Sequence, residues 1–195
     1  GLHGYILKKD SPSCGMERVR VYSPDGMPRR EGRGLFAAAL LARLPLLPVE
    51  EEGRLHDPVL RENFVERVFA RHRWLEFIAS RPRAADLVRF HTRHKLTLLS
   101  HSEPHYRRLG RLVAAAGRAP LRELLPQYEE LFFAALAVKA SPRKHANTLY
   151  HLLGFLKDKL DAADKRELVE CIERYRRRHL PLVVPVTLLA HHFRR

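Results

Sequence analysis

Asp57-Pro58-Val59-Leu60-Arg61-Glu62-Asn63-Phe64-Val65-Glu66-Arg67-Val68-Phe69 is the stretch that decides the fold. Aspartate before proline starts a helix. The carboxylate accepts from the first free N–H groups, and proline lacks the N–H that a first turn leaves unpaired. Leu60, Phe64 and Val68, with Val65 and Phe69, then recur at four-residue steps, so residues 58–79 present an apolar face. The helical period continues to the C-terminus. It predicts helices over 84–100, over 104–116 with Gly117 as the terminating C′ residue, and over 120–139. Ser141-Pro142 starts another that reaches near Leu160, and Asp161 caps a further one through Tyr175. The last segment, from Pro181, contains Pro185. It reads either as a kinked helix or as a short extended piece before a helix.

Working back from Asp57, the pattern changes. Residues 4–8 and 18–22 read as two short strands flanking Ser11-Pro12-Ser13-Cys14-Gly15. Residues 23–34, rich in Gly, Pro and Arg, read as loop. Gly34–Arg43 reads as a short Ala/Leu helix and Leu46–Val49 as an extended piece, with Glu50, Glu51, Glu52 and Gly53 leading to a boundary. The expected fold class is therefore mainly α. A helical domain of about six to seven helices, residues 58–195, follows a short α/β remnant of a parallel-sheet domain, residues 1–57.

The 195 residues are 45% hydrophobic and 30% charged, a globular balance. No apolar run approaches the roughly 20 residues that span a bilayer, and no secretory leader is legible. With two cysteines and no disulfide framework, a cytoplasmic protein with no membrane partner is expected. The net charge of +14 is uneven. Residues 1–57 hold 9 Lys/Arg against 8 Asp/Glu, and residues 58–195 hold 27 against 14. A basic rear part suits phosphate-rich partners, or is simply a solvated basic surface.

Three clusters carry candidate chemistry. A Ser/Pro/Gly turn at the C-terminal edge of a strand is where α/β folds bind ligands. Cys14, beside Ser11 and Ser13 and downstream of Lys8 and Lys9, is a candidate thiolate, or an incidental cysteine in a tight turn. In Phe90-His91-Thr92-Arg93-His94-Lys95, helical spacing puts His91, His94 and Lys95 on one side, with His101 and His105 following. The four histidines could gather a metal. With Lys95 they could form a cationic anion-binding face, Arg93 pointing elsewhere, or they could be core or solvated residues. Arg143-Lys144-His145-Ala146-Asn147-Thr148-Leu149-Tyr150-His151 follows Ser141-Pro142, so its cations sit in a first helical turn, where N–H groups already favour anions. Lys144, Asn147, Thr148 and His151 would share a stripe, and the alternative is a wet outer face. Arg174 and Arg176-Arg177-Arg178-His179 close a helix, a placement the macrodipole favours without any partner; a nucleic-acid backbone contact is the alternative.

These strings resemble a known pairing. Residues 4–15 (GYILKKDSPSCG) resemble the cluster-binding turn of the thiouracil desulfidase (TudS) family, and residues 47–55 resemble the end of that domain. From Arg61-Glu-Asn-Phe-Val-Glu-Arg67 onward the chain resembles the YbgA-type helical domain, through FHTRHKLTLLSH (90–101), RKHANTLYHLLGFLK (143–157) and LPLVVPVTLLAHH (180–192). The resemblance implies a [4Fe-4S] cluster held by three cysteines, its open iron taking sulfur from a thiolated uracil compound or nucleotide. Cys14 matches the last of the three ligands, and the other two would lie before Gly1. As it stands, the chain is thus expected to be a fragment without a cluster or desulfuration activity. In the intact parent, Ser11 and Ser13 would line the catalytic site with the turn's N–H groups. The helical domain would hold nucleotide phosphate or RNA with Arg93, Lys95, Arg143, Lys144, His145, Asn147 and His151. Two rival expectations are a non-enzymatic nucleic-acid- or protein-binding module, and a metal-dependent activity of the helical domain built on its histidines.

Overall fold

The computed structural model describes residues 1–22 and 26–194. Eight α-helices dominate the described residues: α1 (Leu35–Arg43), α2 (Pro58–Ala79), α3 (Ala84–His101), α4 (Glu103–Ala114), α5 (Leu121–Ala137), α6 (Pro142–Phe155), α7 (Ala162–Arg176) and α8 (Val183–Arg194). Four short strands precede α2: β1 (Tyr5–Leu7), β2 (Val19–Tyr22), β3 (Pro28–Gly32) and β4 (Val49–Glu51). The mainly α expectation is met, and the strand pair before the helices is parallel: β1 pairs with β4, Tyr5 opposite Val49 and Leu7 opposite Glu51.

Local chemistry sets the helix starts. Asp57 accepts from the N–H groups of Val59 at 2.8 Å and Leu60 at 3.2 Å. The Asp161 carboxylate accepts from Ala163 and Asp164, both at 2.8 Å. The Ser141 hydroxyl oxygen accepts from Lys144 N at 3.4 Å. Each cap satisfies N–H groups that the first turn leaves free.

Four sequence expectations need correction. The expected loop over 23–34 contains β3, which pairs antiparallel with β2 (residues 23–25 lie outside the described residues). The paired strand is mostly exposed, so no hydrophobic alternation advertises it. β4 starts where the expected extended piece 46–49 ends and carries the strand on to Glu51: Glu50 and Glu51 are buried strand residues. α6 ends at Phe155, five residues short of Leu160, and its C-cap is Leu156. Gly117 is not the C′ residue of α4, which closes at Ala115; Gly117 is not among the glycines with positive φ. Pro185 falls in the first turn of α8, where its missing N–H costs no intrahelical bond.

The main core joins α2, α3, α4 and α5 around fully buried rings. Trp74 stacks on Tyr128 at 5.5 Å, Tyr128 stacks on Phe132 at 5.8 Å, and Phe90 meets Trp74 edge-on at 5.4 Å. A second core joins α6, α7 and α8 through Leu149, Leu153, Leu168, Ile172 and Leu189. A third, small one holds Leu7, Ala37, Leu47 and Val49. This last unit rests on α2: a Cβ at Gly4 would come 2.5 Å from Val68 Cγ2, and Arg71 donates to the carbonyls of Leu2 (3.3 Å) and Leu46 (3.4 Å).

Trp74 is 1% exposed at the centre of four ring contacts. Trp74→Ala is expected to cost about 3–5 kcal/mol, read as a lowered urea midpoint. A loss below about 1 kcal/mol would contradict the packing described.

Candidate functional site

The Ser11–Gly15 turn follows β1 and is locked from both sides. The Ser11 hydroxyl oxygen accepts from Ser13 N (3.3 Å) and Cys14 N (3.2 Å), and Ser11 O accepts from Gly15 N (2.8 Å). The buried Glu51 carboxylate accepts from Met16 N at 2.8 Å. In return, the turn's carbonyls cap α1: Pro12 O accepts from Leu35 N, and Ser13 O from Phe36 N and Ala37 N. This corrects one expectation. The N–H groups of Ser13, Cys14, Gly15 and Met16 all have internal acceptors, so none points free toward a bound sulfur. The Ser13 side chain is exposed; Cys14 is half-buried against the small core.

Gly34 makes the docking possible, since a Cβ there would lie 2.2 Å from Ser13 O. Gly34→Ala is therefore expected to cost about 1–3 kcal/mol and to speed Cys14 reaction with a thiol reagent. Unchanged stability with unchanged thiol reactivity would contradict the lock.

A four-iron cluster takes cysteine thiolates. Among the described residues the turn supplies one, Cys14, while the other cysteine, Cys171, lies in α7. No group of three or more His, Cys, Asp or Glu side chains is placed there to hold a metal ion. The residues present do not fit such a cluster by themselves.

The histidines of α3 are core groups. His91 Nδ1 meets the Tyr128 hydroxyl at 3.2 Å, and His94 Nδ1 donates to Phe90 O at 2.8 Å. Burial lowers the pKa of both rings. His105 Nδ1 meets the Ser102 hydroxyl at 2.8 Å. The four histidines are thus individually engaged, and the structure does not gather them around a metal.

The cations expected to supply a surface for phosphate or RNA lie on different faces. Exposed Arg93 lines an α2–α3 groove with Arg73 and Arg89. Lys95 reaches over the Phe155 ring (5.9 Å), which also packs against His151 (5.1 Å). Arg143, Asn147 and His151 form the exposed stripe of α6, while Thr148 is buried and donates to Lys144 O. Lys144 turns inward, its ammonium donating to the carbonyls of His101 (2.8 Å) and Lys139 (3.1 Å). It closes helix ends and does not wait for a ligand.

His145 faces another way. It lines a cleft of about 340 Å³ between α2, α6 and α7. There His145 Nδ1 lies 2.5 Å from the Tyr175 hydroxyl. Burial lowers the His145 pKa and raises that of Tyr175, so both stay uncharged near neutrality. On the same wall His101, 2% exposed, donates from Nδ1 to Val138 O (2.6 Å) and sets Nε2 2.7 Å from Glu66 Oε2. Glu62 and Arg178 add a charge of each sign to the lining, beside the polar Asn63, Ser100 and Ser141. Sequence reasoning missed Glu62, Glu66 and Tyr175 as site residues. It read Arg178 only as part of a basic helix end. Glu62 and Glu66 are four residues apart on α2 and Tyr175 and Arg178 three apart at the end of α7, but no spacing connects the two pairs with each other or with His101 and His145.

With this geometry in place, residues 95–195 match the family described as Protein of unknown function (DUF1722). The chain belongs to that family. Residues 1–52 match the family described as 2-thiouracil desulfurase. A protein of Escherichia coli (strain K12), described as Uncharacterized protein YbgA, is 32% identical over 127 residues, covering 65% of this chain and 75% of that protein. The chain thus carries a thiouracil-desulfurase-like segment ahead of a YbgA-like helical part. No solved structure matches it. Among the described residues, no helix is long and apolar enough to cross a membrane.

Proposed function

We propose that this chain carries part of a desulfidase acting on thiolated uracil compounds, with a helical part that holds the substrate's phosphate. The match of residues 1–52 to 2-thiouracil desulfurase carries the reading. The hydrogen-bonded Ser11–Gly15 turn supports it, because its backbone bonds hold Cys14 in place beyond the C-terminal end of β1. In the reaction, oxygen from water replaces the thiocarbonyl sulfur, leaving the uracil product and sulfide. Cys14 is the residue on which the activity depends. The exposed Arg143, Asn147 and His151 stripe, with Lys95 beside it, supplies the cation and hydrogen-bond donors that a phosphate needs. The spread of free cations over two faces, Arg93 on one and Arg143 on another, favours a second reading in which the anion is an RNA backbone. Its mark is affinity that falls steeply with salt.

The test is sulfide release by the full-length protein that contains this chain, purified anaerobically and given 2-thiouracil or 2-thiouridine 5′-monophosphate. Release is expected from at least one of them and is lost in Cys14→Ser. Arg143→Glu is expected to raise KM about tenfold for the monophosphate and to leave the free base unchanged, the loss of one charge-assisted contact. No sulfide from either compound, or full release by Cys14→Ser, overturns the reading.

A further inference from the structure

The cleft between α2, α6 and α7 contains one free charge of each sign. Glu66 is engaged by His101 at 2.7 Å. His145 and Tyr175 bond each other and are held uncharged by burial. That leaves Glu62 on α2 and Arg178 just beyond α7. Both side chains line the cleft from exposed positions and both act electrostatically on Tyr175, yet neither side chain has an ion-pair or hydrogen-bond partner among the described residues.

Arg178 has a second peculiarity. α7 ends in a Schellman motif: His179 N donates to Arg174 O (2.9 Å) and Arg178 N to Tyr175 O (2.8 Å). This motif puts its C′ residue in the left-handed region, where glycine is the usual occupant. Arg178 sits there with φ 65°. The same strained position occurs at Arg81 beyond α2, which does not line this cleft and so serves as an internal control.

We propose that this cleft binds a small zwitterion of the α-amino-acid class, its carboxylate on Arg178 and its ammonium on Glu62. Two opposite charges that do not meet each other are complemented by a ligand carrying both. A neutral base would leave both charges partly desolvated without compensation. His145 and Tyr175 line the same cleft as an uncharged, mutually hydrogen-bonded pair. The volume, about 340 Å³, lies at the small end of ligand sites. The site is independent of the desulfidase reading and survives its failure.

The experiment is thermal shift followed by calorimetry on the full 195-residue chain, with the protein amino acids added one at a time. Acetate, ethylammonium and uridine 5′-monophosphate are the comparison probes. At least one amino acid is expected to raise the melting temperature, and neither half-ligand alone is expected to do so. Arg178→Gly relieves the left-handed strain, so it is expected to melt no lower than the parent while binding at least about tenfold more weakly. Glu62→Gln is expected to weaken binding similarly. Arg81→Gly is expected to leave binding unchanged. Absence of binding by every amino acid overturns the proposal. So does binding that survives both Arg178→Gly and Glu62→Gln, or a site that takes uridine 5′-monophosphate in place of amino acids.

Discussion

The buried imidazole of His101 is the joint on which the helical part turns. Its Nδ1 ties α3 to the carbonyl of Val138 beyond α5, and its Nε2 ties α3 to Glu66 on α2. Its own carbonyl accepts from the Lys144 ammonium of α6. One residue thereby fixes the relative places of four helices. It also sits where the aromatic core of α2–α5 gives way to the aliphatic core of α6–α8. A polar group so deeply buried is tolerated because both ring nitrogens have oxygen partners. The cleft beside it exists because helix ends meet here at a polar joint that side-chain packing does not fill.

The N-terminal unit obeys a different constraint. Two parallel strands of three residues each are a small sheet, and parallel sheets are normally covered on both faces. Here the unit is held by backbone hydrogen bonds as much as by apolar burial. The turn caps α1, Glu51 holds the turn, and Arg71 of α2 holds the carbonyls of Leu2 and Leu46. α2 therefore serves both parts of the chain: its Phe64 and Val68 side lies under Gly4, and its Trp74 enters the main core.

What the sequence disclosed follows from range. Asp57, Ser141 and Asp161 were legible as caps because a cap is chemistry within three residues. The helical period was legible because the apolar stripes of α3 through α7 are regular; on α2 the expected stripe holds only in part, since Val65 and Phe69 are exposed and Phe64, Ala70 and Trp74 are the buried positions. The β2–β3 hairpin was hidden because Pro28, Arg29 and Arg30 carry no strand pattern and their pairing is set by partners on β2. The site was only half visible. A basic helix start at 143–145 read as one anion site, yet Arg143, Lys144 and His145 leave the helix in three directions: to solvent, to the helix ends, and into the cleft. His91 and His94 read as ligands or as core by the same spacing, and only Tyr128 and Phe90 O decide for core. Of the cleft residues, 62 and 66, and 175 and 178, share helical spacing, but only tertiary packing brings these pairs to 101 and 145.

The most direct measurement of this account is a double-mutant cycle between His101 and Glu66, using His101→Ala, Glu66→Ala and the pair, with stability read from urea unfolding of the full chain. If the joint is as described, the two substitutions are coupled by about 1–3 kcal/mol, because each single change strands a partner that the other also removes. If the two losses add within about 0.5 kcal/mol, the residues act independently and His101 is not the joint that positions these helices.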